Sequence, residues 1–212
     1  MNSTTVISPP NGTNTHEAQK IKQPDVAHDI HPLIQKRWSP RSFSGQTISE
    51  EQLDELFEAA RWSASANNEQ PWLYIYAFRG TPEFEQLWNC LLPGNQPWTK
   101  QAAVLMVALA RKTFAKTGKP NPWAIHDLGM ANAQLFLQAA HRNIYGHMMA
   151  GFDKTKTASL LTLDDDVEPI CMAALGYLGE VEALQEPYKS RELSRRERLP
   201  VKQFTRNFQT TS

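Results

Sequence analysis

Apolar and polar residues follow two different spacings along this chain, which predict helices in some stretches and strands in others. Leu53, Leu56 and Ala60 lie three or four residues apart, a spacing typical of one buried face of an α-helix. Ser49 and Gln52 stand three residues apart at the start of this run, which indicates a capping box. Short, unbroken apolar runs instead predict buried strands. The pattern predicts helices at 29–37, 49–62, 81–91, 122–142 and 153–163, and strands at 72–78, 102–110, 143–152 and 168–180.

These elements follow one another without the regular strand–helix–strand alternation of a parallel sheet. The order favours the α+β class, in which helices surround a small sheet. Residues 1–28 are rich in Ser, Thr, Asn and Pro, so we expect them to form a disordered N-terminal arm. Residues 29–212 are expected to form one domain that ends in an extended, charged C-terminal tail.

The charge balance argues against a general attraction to polyanions. The chain has 22 basic and 22 acidic residues, so no global field favours nucleic acid or an anionic membrane. The basic run 195–198 is short, and no apolar run reaches the about 18 residues that a membrane span needs. Cys90 and Cys171 have no metal-ligand spacing. We therefore expect no metal site, no nucleic-acid or membrane partner, and reduced thiols in a cytoplasmic protein.

Three residues at alternating positions, Arg37, Ser39 and Arg41, form the first candidate site. In an extended segment their side chains point to the same side. Two guanidiniums beside a hydroxyl suit a phosphate group, because each planar guanidinium can bind two oxygens. Arg196 and Arg198 repeat the two-residue spacing near the C-terminus. The alternative is that all four arginines are surface charges in exposed ion pairs of little energetic value.

Two further segments could contact a heterocyclic ring. Asn68 and Gln70 lie in the polar stretch 63–72, and their amides offer both donors and acceptors to a ring edge. The alternative is a polar turn whose side chains bond to the local backbone. Gly151 lies at the end of the strand predicted at 143–152 and allows close approach of another group to the backbone. The alternative there is a simple turn from a strand into a helix.

Taken together, these segments resemble the nitroreductase family of FMN-dependent flavoproteins. The resemblance runs in order from about residue 30 to 208, through RWSPR (37–41), ASANNEQPW (64–72), HDLGMANAQLFLQAA (126–140), GFD (151–153), ALGYLG (174–179) and RRERLPVKQF (195–204). Two positions depart from the family pattern: Ala64 replaces a proline, and Gln134 replaces an asparagine.

The resemblance implies a mostly antiparallel sheet flanked by helices, assembled as an intertwined homodimer with FMN at the interface. It implies that one chain supplies most cofactor contacts and that its partner supplies the loop after the second predicted helix. The implied cofactor-binding residues of the first group are Arg37, Trp38, Ser39, Arg41, Asn95, Met149, Ala150, Gly151, Arg196 and Arg198. Those of the loop are Ser65, Ala66 and Asn68.

The activity that the resemblance implies is an FMN-dependent NAD(P)H oxidoreductase. FMN would take a hydride from NADH or NADPH and reduce a nitroaromatic, quinone or enone by a ping-pong mechanism, and no catalytic side chain is assigned. The alternatives are another flavin reaction on the same fold, such as a dehydrogenase or dehalogenase reaction, and a flavin-binding protein without catalysis.

Overall fold

The computed structural model describes residues 15–208 and places a four-stranded sheet at the centre of the chain. The strands are β1 (Trp72–Phe78), β2 (Val104–Arg111), β3 (Tyr145–Met149) and β4 (Val167–Gly176). The helices are α1 (Thr15–Ile21), α2 (Pro32–Lys36), α3 (Glu50–Arg61), α4 (Pro82–Trp88), α5 (Gln96–Thr99), α6 (Ala124–His141), α7 (Lys154–Leu160), α8 (Tyr188–Glu192) and α9 (Val201–Phe204). Short 3₁₀ turns cover Ala66–Asn68 and Val181–Ala183.

The sheet has the order β1-β2-β4-β3, and all three strand pairings are antiparallel. Helices cover both of its faces, which explains why β2 is an unbroken apolar run rather than an alternating one. Leu105 packs in one core cluster with Phe84 of α4, whereas Val104 and Met106 pack in another with Leu135 of α6. The predicted sheet flanked by helices is confirmed.

The strongest local signals place their elements correctly. β1 spans the predicted residues, and the predicted capping box of α3 is confirmed. The Ser49 hydroxyl accepts from the Gln52 amide at 3.1 Å, while the Gln52 side chain accepts from the Ser49 amide at 3.0 Å. None of the helices within residues 15–208 combines the length and apolar composition that a bilayer crossing requires.

The two ends of the chain differ from the prediction. The arm expected to be disordered through residue 28 contains α1, and both Ala18 and Lys22 are buried. The tail expected to be extended contains α8 and α9, and Glu192 is fully buried. Residues 1–14 and 209–212 lie outside the described part, so the prediction there stays a prediction.

A close backbone contact at Gly179 anchors the segment that follows residue 41. The Gly179 amide donates to the Ser42 carbonyl at 3.0 Å, and Phe43 pairs with Leu178. A Cβ atom on Gly179 would lie 2.5 Å from the carbonyl carbon and oxygen of Phe43, so the backbone would have to move. This contact ties the candidate phosphate segment to the end of β4.

We expect Gly179→Ala to lower the free energy of unfolding by about 3 kcal/mol, as overpacking against backbone does. The matched control is Gly94→Ala, because no atom lies within 4 Å of a Cβ at Gly94. Urea denaturation of both variants measures the difference. Equal effects of the two substitutions would show that the Gly179 contact is not tight.

Candidate functional site

Residues 37–41 leave α2 in extended conformation and pack their inward-facing residues against β3. Trp38 is buried, and its ring meets that of Tyr145 edge to face, with centroids 6.2 Å apart. The carbonyl of buried Pro40 accepts a hydrogen bond from Nδ1 of His147 at 2.9 Å. These contacts fix which side of the segment faces the protein.

The other side of this segment carries the three residues of the predicted phosphate site. Ser39 is exposed, while Arg37 and Arg41 are partly buried, as their alternating spacing predicts. The Arg41 guanidinium lies over the ring of Trp98, 5.8 Å from its centroid. Burial lowers the pKa of Arg41, and the nearby Glu192 carboxylate opposes this, so Arg41 stays charged near neutral pH.

The C-terminal arginines lie beside Arg37, and Arg196 also binds the backbone there. Arg196 donates from Nη1 to the Arg37 carbonyl at 2.6 Å and from Nη2 to the Gln35 carbonyl at 2.5 Å. Its Nε is buried and has no hydrogen-bond partner within the described chain. Arg198 is exposed and donates to the Glu197 carbonyl at 2.7 Å.

Arg37, Arg196 and Arg198 form a cluster of like charges. Burial lowers the pKa of Arg37 and Arg196, and the neighbouring guanidiniums lower both further. Within residues 15–208, no carboxylate oxygen lies within 4.0 Å of a side-chain nitrogen of these three residues. An anion bound here would relieve the mutual repulsion.

The turn after β3 presents backbone donors beside this segment. The Asn95 side chain donates to the Gly151 carbonyl at 2.9 Å and occupies the space that a Cβ on Gly151 would need. The backbone N–H groups of Ala150 and Gly151 donate to no acceptor in the described chain. Met149 is buried in the core and pairs with Met172 of β4.

Contacts within one chain join this turn to the arginine segment. Trp98 of α5 lies under Arg41, and its ring centroid is 4.5 Å from that of His147 on β3. Asn95 precedes α5 directly and holds Gly151. The structure thus brings together residues 37–41, 95 and 149–151, with Arg196 and Arg198 next to Arg37.

The third predicted group lies in a loop that Asp127 supports. The amide of Ala66 donates to the buried Asp127 carboxylate at 2.9 Å, and the Ser65 hydroxyl accepts from the Gln70 amide at 3.0 Å. Asn68 and Gln70 have φ of 57° and 53°, a left-handed conformation that asparagine adopts more readily than most residues. The Asn68 side chain is exposed.

This loop and the arginine segment lie at opposite ends of α6. Asp127, which holds Ala66, is in the first turn of α6, whereas Lys36 bonds at 2.6 Å to Asn143, just after its last turn. α6 has 18 residues, so its ends are about 27 Å apart. One chain alone does not bring these two groups of predicted site residues together.

His147 should make the stability of the fold depend on pH. Burial, and then the charge of Arg41, lower its pKa to about 4, although the Pro40 carbonyl opposes this. Between pH 6.5 and 4 the unfolded chain binds a proton that the folded chain does not, so stability is lost as pH falls. At about 1.4 kcal/mol per pKa unit, the loss approaches about 3 kcal/mol.

We expect His147→Gln to remove most of this loss in urea denaturation measured at pH 7, 5.5 and 4. The control is His141→Gln, because His141 is exposed at the end of α6. A pH dependence that His147→Gln leaves unchanged would contradict the assignment.

His126 lies on the buried helix α6 but is not a core residue, because 61% of its side chain is exposed. The buried member of the pair is Asp127, which contacts Nδ1 of His126 at 3.1 Å with one oxygen and the Ala66 amide with the other. No group of three or more His, Cys, Asp or Glu residues within 15–208 is arranged to hold a metal ion.

Most of the sequence matches the model of one protein family. The model of the nitroreductase family matches residues 34–92 and 90–177, which together are more than half of the sequence. The chain belongs to the nitroreductase family. The expected family relationship is therefore confirmed.

The chain is also similar to two solved structures and to one further protein. A solved structure of an oxidoreductase containing FMN is 29% identical, matches 88% of this chain and 96% of its own, and has a TM-score of 0.82. A nitroreductase family protein from Clostridium difficile 630 is 19% identical, matches 87% of this chain and 100% of its own, and has a TM-score of 0.65. An uncharacterised 15.4 kDa protein of Mycolicibacterium smegmatis, from the ask 5′ region, is 32% identical over 120 residues, which are 57% of this chain and 79% of that protein.

Sequence patterns do not reveal several of the side chains that support the candidate site. Lys22 lies in the predicted disordered arm and Glu192 in the predicted charged tail. Both are nevertheless buried beside residues 37–41. Trp98 and His147 carry no motif of their own. Asp127 belongs to the family-like helix motif, and that match could have indicated its buried role.

Proposed function

We propose that this chain is an FMN-dependent oxidoreductase that takes a hydride from NADH or NADPH and reduces a small organic acceptor. The acceptor class is a nitroaromatic, quinone or enone. One observation carries the proposal: within the described chain, the guanidiniums of one segment have no carboxylate partner, and Trp98 links that segment to a turn whose backbone N–H groups bind no acceptor. Family membership and the likeness to an FMN-containing oxidoreductase support it.

The arginine cluster has the chemistry that a phosphate ester requires. Arg37, Arg196 and Arg198 repel one another, and the buried Nε of Arg196 has no acceptor among the described residues. A phosphate brings negative charge and several acceptor oxygens, which suits planar guanidiniums and the exposed Ser39 hydroxyl. Arg41, at the far end of the segment, would contribute a further charge-assisted hydrogen bond.

The turn at Ala150 and Gly151 suits the edge of a heterocyclic ring. Its two free backbone N–H groups would donate to ring nitrogen or oxygen atoms, and Asn95 holds the turn in place. Such fixed donors also stabilise negative charge that develops on a ring. When bound, FMN supplies the hydride chemistry, while these residues of the chain bind and orient it.

We propose that the functional unit is a homodimer in which the partner supplies Ser65, Ala66 and Asn68. The length of α6 supports this, because it separates that loop from the arginine segment of the same chain. Exposed apolar side chains near the loop also support it: Trp62 is 74% exposed and Trp123 is 55% exposed. Large exposed aromatic residues often mark a protein interface.

The proposal predicts that the purified chain binds FMN and releases it on denaturation. The measurement is the flavin absorbance of the protein as purified and after reconstitution with FMN, followed by filtration. Steady-state assays of NADH and NADPH with quinones, nitroaromatics and enones then identify the acceptor class. Protein that stays colourless after reconstitution would contradict the proposal, and bound FMN without turnover would indicate a flavin-binding protein.

A further inference from the structure

Lys22, from the N-terminal end of the described chain, is buried behind the candidate phosphate site. Only 7% of it is exposed, and its ammonium lies over the ring of Trp38, 5.3 Å from the centroid. It donates to the carbonyl of Arg191 at 2.9 Å and to that of Ser194 at 2.5 Å. Lys22 therefore ties the N-terminal segment to the chain that follows α8.

Glu192, the last residue of α8, binds the backbone of the arginine segment directly. Its carboxylate oxygens lie 2.9 and 3.1 Å from the Arg41 amide nitrogen, and Oε1 lies 3.2 Å from that of Ser42. Glu192 is 1% exposed. Burial raises the pKa of Glu192, and the two amides and the charges of Lys22 and Arg41 oppose this effect.

The two residues together hold the segment in the conformation that presents its arginines. Glu192 fixes the backbone at residues 41 and 42, and Lys22 fixes the carbonyls on either side of Glu192. Arg196 also binds the carbonyls of residues 35 and 37. The backbone from 35 to 42 is thus held at both ends, while the Ser39 side chain stays exposed between the partly buried Arg37 and Arg41.

We propose that Lys22 and Glu192 are positioning residues for the phosphate group of FMN, and that they couple docking of the N-terminal segment to phosphate binding. The proposal rests on the proposed function, because it takes FMN as the ligand. Neither residue contacts the phosphate. Their contacts fix the backbone that carries its binding side chains, and a fixed site loses less conformational entropy on binding.

Comparison of FMN with riboflavin, which lacks the phosphate, separates this role from general stabilisation. We expect Lys22→Met to weaken FMN binding at least tenfold and riboflavin binding less than twofold, in flavin-fluorescence titrations. Methionine keeps the packing on Trp38 and removes the charge and donors. Lys22→Arg should restore FMN binding, because arginine can donate to both carbonyls and lie over the ring.

The matched control is Lys20→Met, which should leave both affinities unchanged, because Lys20 is exposed and lies in α1, two residues before Lys22. Circular dichroism confirms that each variant is folded at the assay temperature. Equal losses for FMN and riboflavin, or no loss for FMN, would overturn the inference while the proposed function stands. Failure of the unaltered chain to bind FMN would overturn both the inference and the proposed function.

Coupling between two binding events is reciprocal, so FMN binding should in turn favour the docked N-terminal segment. Trypsin can cut after Lys22 only when its buried side chain leaves its site, so FMN should slow this cleavage and riboflavin should not. Mass spectrometry of the fragments of the unaltered protein identifies the cut. A cleavage rate that FMN leaves unchanged would overturn the coupling.

Discussion

Arg41→Ala is expected to weaken FMN binding by about 1.5–3 kcal/mol, which is about 10- to 150-fold in Kd. Arg41 has no carboxylate within 4.0 Å of its guanidinium in the described chain, so its charge is available to an anion. The fold should survive, because Glu192 binds the Arg41 backbone rather than its side chain. Fluorescence titration with FMN and with riboflavin measures the effect, and riboflavin affinity should change little.

Two companion variants make the Arg41 result specific. Arg41→Lys keeps the charge but loses the planar fork, so we expect a smaller loss of FMN affinity. Arg61→Ala removes an exposed arginine paired with Glu58 and should leave both affinities unchanged. If FMN affinity is the same for Arg41→Ala and the unaltered chain, Arg41 is only a surface charge.

Mixed dimers are expected to recover a flavin site that two single variants each lose. Asn68→Asp keeps a residue that tolerates positive φ but replaces the amide by a carboxylate, which should repel a reduced, anionic ring. Arg41→Ala damages the other half of the site. In a mixed dimer one site carries both changes and the other carries neither, so about half of the unaltered activity should return.

The mixed dimer is obtained by co-expression of differently tagged chains and two successive affinity steps. Bound FMN and turnover are measured at an FMN concentration near the Kd of the unaltered protein. Each homodimer of a single variant serves as its own control. A mixed dimer no more active than the mean of the two homodimers would show that both groups of residues serve the same chain.

Local sequence patterns predict the central elements well because their signals are local. The run Trp72–Phe78 is apolar and aromatic and is flanked by a proline and a turn, so its bounds are clear. The capping box at Ser49 involves atoms three residues apart. The alternation of Arg37, Ser39 and Arg41 likewise depends only on an extended backbone.

The ends of the chain could not be predicted because their order depends on distant partners. α1 is short and polar, and Lys22 bonds to carbonyls 169 and 172 residues away. Glu192 binds amides 150 and 151 residues away, and a charged tail gives no sign of such a contact. Two donors of Arg196 bind the carbonyls of residues 35 and 37, which are 161 and 159 positions away in the sequence, and its place at the phosphate stays a prediction.

Anaerobic reduction of the FMN-loaded protein tests the central claim most directly. We predict that NADH or NADPH bleaches the flavin absorbance in stopped-flow measurements, and that a quinone, nitroaromatic or enone added afterwards restores it. Both half-reactions should occur with the purified chain alone. Flavin that stays oxidised with both nucleotides would contradict the proposed oxidoreductase function.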